Sequence, residues 1–153
     1  MRGQIHIDES QPANSWVEAE VDAATIDTQN DQRDAHLRSA DFFEVDTYPT
    51  ITFKSTKVEA VSGQEYRVTG DFTMHGVTKS VTFDVEYGGQ SNMGGPRVGL
   101  TAKTKINRKD FGLSFGALAQ AAGQVALGEI VTIEIDVEAK TQSAAAQAVE
   151  TAQ

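Results

Sequence analysis

The sequence predicts an all-β protein, an antiparallel β-barrel or strongly curved sheet with one short helix. Three observations point there. From Thr50 onward apolar and polar residues alternate with period two, which puts successive side chains on opposite faces of a strand. The alternating runs are rich in β-branched and aromatic residues and are separated by glycine-containing turns, the usual punctuation of antiparallel sheet. Finally, 153 residues with 39% hydrophobic and 23% charged content support one hydrophobic core rather than two.

Taken in order, residues 4–8 and 15–22 form two short alternating segments, the first with Ile5 and Ile7, the second with Val17, Ala19 and Val21 opposing Trp16, Glu18 and Glu20. Residues 30–39, NDQRDAHLRS, read as a short helix with Asn30 as N-cap and basic residues late, where the helix dipole favours them. Ile51, Phe53 and Ser55 share one face of the next strand. In the run 64–74, Tyr66, Val68, Gly70, Phe72 and Met74 share a face, and His75-Gly76 fits a tight hairpin turn. Val77, Val81, Phe83, Val85 and Tyr87 follow, with Lys79 on the same face and so expected near a barrel rim. After a glycine-rich loop, Val98, Leu100, Ala102, Thr104 and Ile106 line one more strand, and Val131, Ile133, Ile135 and Val137 line the last. Residues 142–153, with Ala144-Ala145-Ala146 and no alternating face, are expected to be a disordered tail or a frayed helix. The domain is therefore expected over 1–140 and the tail over 141–153. Seven strands make an awkward count, since an up-and-down barrel closes with every neighbour antiparallel only for an even number. Either a strand is missing or an edge is open.

The formal net charge of −9 repels phosphate backbones and anionic surfaces, which argues against nucleic acid as a partner. No cysteine is present, so disulfides and thiolate metal sites are excluded. No apolar run reaches signal-peptide or membrane-spanning length. Localisation follows from the start of the chain: periplasmic if a leader was removed, cytoplasmic if Met1 is the native start.

His6, His36 and His75 lie in different elements without close metal-ligand spacing, and no G-x-S-x-G elbow or twelve-residue calcium loop occurs. No catalytic residue, metal ligand or cofactor is called for. The apolar faces either fill a closed core or surround a cavity, and the small inward residues Ser55, Gly70, Ala102 and Thr104 give modest support to a cavity.

One series of stretches consists of Ala24-Thr25-Ile26-Asp27-Thr28, Asn30 through Ser39, Asp41-Phe42-Phe43 and Tyr48 through Thr56. It continues through Gly70-Asp71-Phe72-Thr73-Met74-His75-Gly76-Val77-Thr78-Lys79, Asn107 through Ser114 and Gly128 through Ile133. In these stretches, which run in the family's order across roughly 17–139, the chain resembles the YceI-like polyisoprenoid-binding family. Two departures stand out: the family's opening strands have no counterpart before Gln4, and the loop 116–127, GALAQAAGQVAL, is richer in alanine than the family pattern. The resemblance implies a lipocalin-like barrel, incomplete or open if those strands are missing. It also implies a bound isoprenoid lipid of polyprenyl phosphate or quinone type, held by a carrier, store or sensor and not an enzyme.

On that footing the expected lining is Ile51, Phe53, Val68, Phe72, Val81, Phe83, Val98, Leu100, Ile133 and Ile135, with Arg33, His36 and Arg38 as candidates near the rim. From another class comes an interaction module, in which an open sheet edge pairs with the same edge of a second copy to give a homodimer. An enzyme acting on a hydrophobic substrate is the third reading, and the absence of convergent catalytic groups separates it from the carrier.

Overall fold

The structure, a computed structural model, describes residues 1–116, 127–141 and 148–152. Eight strands follow one another around a ring: β1 (Arg2–His6), β2 (Trp16–Asp22), β3 (Thr50–Ser62), β4 (Glu65–Met74), β5 (Val77–Ser91), β6 (Arg97–Asn107), β7 (Ile130–Thr141) and β8 (Ala148–Ala152). Each pairs antiparallel with the next, and β8 returns to β1, so the barrel is closed. The even count removes the difficulty that seven strands posed. The segment expected as a tail supplies the missing strand: Ala148–Ala152 pairs along all of β1 and, among the described residues, meets β7 at Ala139–Thr141. Its physical basis is backbone pairing to two edges, for which an alternating apolar face is not required. Residues 142–147 and 153 of that expected tail, and 117–126 of the alanine-rich loop, lie outside the described residues.

The alternation of β4 holds without interruption, with Val68, Gly70, Phe72 and Met74 all buried. In β3 it does not. The register steps from Ser55↔Gly70 to Lys57↔Thr69, a bulge at Thr56 that flips the phase and turns Val58 inward to 8% exposure. Gly70 sits at this bend, and a Cβ there would lie 2.4 Å from the Lys54 carbonyl oxygen and 2.7 Å from Phe53 Cζ. The inward space left by Gly70 is therefore taken by the Phe53 ring. Between β4 and β5, His75 (φ 53°) and Gly76 (φ 71°) form the tight hairpin, both in the left-handed region that two-residue hairpin loops of this type need.

The helix α1 (Asp31–Arg38) lies on the crossover from β2 to β3. Asn30 Oδ1 accepts from the Arg33 amide at 2.9 Å, Asp31 and Asp34 occupy the first turn, and His36 and Arg38 the last, as capping and dipole arguments require. Asp34, 4% exposed, accepts from the Thr28 amide at 2.9 Å and from the Thr28 hydroxyl. These bonds, the hydroxyl's foremost, together with the charges of Arg38 and Arg33, outweigh burial and hold its carboxyl below the ordinary carboxylate value.

One end of the barrel is plugged. Phe72, Met74, Ile106, Phe111 and Leu113 form a buried cluster, with Phe72 and Phe111 edge to face at 5.4 Å. Beside it, the buried Arg108 guanidinium donates to the carbonyls of Gly128 at 2.8 Å and of Leu113, fixing both ends of the loop that follows. A second buried cluster, Ile5, Tyr87, Val98 and Ala139, lies apart from the first.

Candidate binding cavity

Between the two clusters the inward faces of β1 to β7 enclose a cavity of about 170 Å³. Of the residues expected to line it, Ile51, Phe53 and Val68 do so, as do Phe72, Phe83, Leu100 and Ile135. Phe53 and Phe83 meet edge to face at 5.0 Å in its wall. Val98 is 3% exposed but belongs to the cluster with Ile5 and Tyr87, while Val81 and Ile133 pack against the plug. These three point into the core without reaching the cavity wall.

Arg33, His36 and Arg38 do not line the cavity. Arg33 donates from Nε to Thr28 Oγ1 and from Nη2 to the Thr28 carbonyl, both at 2.8 Å. Arg38 donates to the carbonyls of Ala24 at 2.9 Å and Ile26 at 2.8 Å. Their donors are committed to bracing the crossover. His36 bonds Asp41 at 2.8 Å and lies edge on to Phe42 and Phe115.

Several wall residues were not singled out from the sequence. Val17, Ala19 and Val21 of β2 face the cavity, a placement already implicit in their alternation with Trp16, Glu18 and Glu20. Ala102 and Val137 belong to runs whose other members were chosen. Val58 had no signal, because the bulge before it inverts the parity on which the reading depended.

The polar part of the lining gathers at the connection between β1 and β2. Asp8 accepts from the Ser10 amide at 3.0 Å, the Ser10 hydroxyl at 2.7 Å and the Gln11 amide at 2.9 Å. These bonds, the Ser10 hydroxyl's foremost, lower its pKa to about 2. The Asp8 amide in turn donates to Ser15 Oγ at 2.9 Å. This connection is fastened to the far wall by Tyr87, whose hydroxyl donates to Glu9 Oε1 at 3.1 Å. Burial, seconded by that bond, raises the Tyr87 phenol above its ordinary value and keeps it a donor. Trp16, the single tryptophan, lines the cavity at 37% exposure and stacks on His6 with ring centroids 6.2 Å apart.

Among the described residues, no group of three or more His, Asp or Glu side chains is placed to hold a metal ion, and no helix is long and apolar enough to cross a membrane. The cavity can therefore offer hydrocarbon contact over most of its wall and a few hydrogen-bonding groups at one end, the composition of a site that holds an apolar molecule by its body.

The chain is 40% identical over 134 residues to Protein YceI of Shigella flexneri, covering 86% of this chain and 68% of that protein. The crystal structure of the Campylobacter jejuni YCEI protein superposes with a TM-score of 0.79 at 28% identity, covering 94% of this chain and 82% of the other. BcnA of Burkholderia cenocepacia shares the fold, with a TM-score of 0.81 at 21% identity over 92% of this chain and 84% of its own. The YceI-like domain pattern matches residues 1–139, and with the barrel and its interior in place the chain belongs to the YceI-like family.

Proposed function

We propose that this protein binds an isoprenoid lipid, of polyprenyl phosphate or quinone type, with the hydrocarbon chain in the barrel, and serves as its carrier, store or sensor without catalysing a reaction. The observation that carries the reading is the separation of the buried residues into two clusters with an apolar cavity between them. A small barrel with no guest usually fills with one contiguous core. Membership of the YceI-like family supports the same reading, since the resemblance to that family implies an isoprenoid ligand.

The size of the space limits what enters. An apolar cavity of about 150 Å³ takes benzene, a six-carbon guest. A space of about 170 Å³ accordingly accepts one five-carbon isoprene unit with room to spare. A longer chain extends past the exposed Trp16 and Glu9 at the β1–β2 connection or displaces wall side chains. Burying five carbons is worth about 4 kcal/mol before ordering costs, at ~0.8 kcal/mol per methylene.

Mass spectrometry of an organic extract of the purified protein tests the proposal. A prenyl lipid at near-equimolar amount is the expected result. Protein that carries none, and whose Trp16 fluorescence does not respond to added farnesol, would remove the basis for the proposal. The homodimer reading draws on one detail: among the described residues, β7 meets β8 only at Ala139–Thr141.

A further inference from the structure

The polar end of the cavity distinguishes among head groups, an inference that rests on the cavity holding an amphiphile's chain. Among the described residues no lysine or arginine lines the cavity, whereas Asp8, Glu9 and Glu18 do. Three donors of its own loop hold Asp8 Oδ1 and Asn14 Nδ2 reaches Oδ2 at 3.4 Å, and Glu18 is 3.4 Å from Lys54. Glu9 is different. One of its oxygens accepts from Tyr87, 78 residues away, and the other takes no hydrogen bond from the described residues. Tyr87 is 9% exposed and built into the cluster with Ile5 and Val98, so the bond ties the exposed Glu9 side chain to the cavity wall.

We propose that Glu9, positioned by Tyr87, sets the head-group preference of the cavity. A cationic head that donates hydrogen bonds is favoured, a hydroxyl is intermediate and a phosphate is disfavoured. An ionised carboxylate only accepts hydrogen bonds, so an ammonium gains both a partner and charge attraction there. A phosphate meets the like charge of Asp8, Glu9 and Glu18, and among the described lining residues no lysine or arginine offsets its desolvation. The proposal narrows the lipid away from polyprenyl phosphates.

Farnesylamine, farnesol and farnesyl phosphate share one chain and differ only in the head. Titrated into the full chain and followed by Trp16 fluorescence and by calorimetry, they should bind in that order, with the amine roughly tenfold tighter than the phosphate at low salt. Glu9→Gln should reduce that ratio to about threefold or less. Tyr87→Phe, which keeps the ring and releases the carboxylate, should weaken the amine selectively. A phosphate that binds as tightly as the amine, or an amine-to-phosphate ratio unchanged in Glu9→Gln, overturns the assignment. If farnesol itself fails to bind, the cavity reading falls and takes the head-group preference with it; farnesol binding without discrimination sinks the preference alone.

Discussion

Ala102→Phe separates binding from folding. Ala102 lies in the cavity wall, 9% exposed, in register with Val85 on β5 and Ile135 on β7. The substitution adds one benzene ring, the very guest that a cavity of about 150 Å³ accepts, to a space of about 170 Å³. Burying the ring contributes about 1.5–3 kcal/mol, and imperfect fit costs about 1–3 kcal/mol. Folding stability should thus change by no more than about 2 kcal/mol in either direction, a shift in Tm within about 8 °C for a chain of this size. Binding behaves otherwise. Excluding one isoprene unit forfeits about 4 kcal/mol of gross burial, so farnesol affinity should fall at least a hundredfold, or about 2.7 kcal/mol. Thermal unfolding and Trp16 fluorescence titration measure the two quantities on one sample. A folded Ala102→Phe protein that binds farnesol as tightly as the parent would show that the chain does not occupy this space. Phe72→Asp, by contrast, abolishes lipid co-purification under the same reading but buries a charge beside the plug, so it destroys fold and site together.

Three further outcomes follow from the geometry. Gly70→Ala should lower stability by about 2 kcal/mol or more in urea unfolding, because its Cβ meets the Lys54 carbonyl oxygen at 2.4 Å, which is backbone and cannot move aside; an unchanged midpoint would mean that the bend at Thr56 relaxes freely. The carboxyl of Asp34 is held below its ordinary value, so its contribution to stability is complete above the unfolded carboxylate pKa of about 3.9 and is lost as pH falls through the folded value. Asp34→Asn should accordingly be least stable relative to the parent at neutral pH and converge with it in strong acid, and a constant difference down to pH 2 would contradict this. A chain ending at Lys140 lacks β8 and exposes the edge of β1 from Arg2 to His6. It should self-associate with rising concentration in sedimentation experiments, whereas a strictly monomeric 1–140 chain would show that β8 is dispensable as an edge cover.

The features legible in the sequence are those set by local chemistry. Alternation located β4 and β5 because no bulge interrupts the pairing from Glu65 to Met74, and Asn30 announced α1 because its side chain caps the helix it precedes. The His75-Gly76 hairpin was visible for the same reason, two adjacent residues suited to positive φ. The bulge at Thr56 was hidden, since no glycine or proline marks it and the phase change appears only when Lys57 is set against Thr69. Strand β8 was hidden too, because a strand held by its backbone at two edges has no need of an alternating face. The basic residues of α1 misled for a related reason. Arg33 and Arg38 have the chemistry of an anion site, but their donors are taken by carbonyls of the crossover, which composition does not disclose. Conversely, the Tyr87–Glu9 bond joins residues too far apart in sequence for any local pattern to connect them.

The two buried clusters also explain how the cavity is kept between them. The plug, with Phe111 only 2% exposed, and the cluster around Val98 and Ala139, at 3% and 0%, anchor the barrel at separate places. The strands spanning the interval are held by long ladders, among them the eleven uninterrupted pairs from Arg97↔Lys140 to Asn107↔Ile130 that join β6 to β7. Wall side chains such as Val68 and Phe83 therefore face a gap that they cannot close without breaking those ladders, and they forgo the dispersion contacts that a filled core would supply. A hydrocarbon guest restores the contacts without moving the backbone. Binding should consequently raise the unfolding temperature with ligand concentration as mass action demands, and it should do so with little change in the β-sheet signal, because the ladders already frame the cavity.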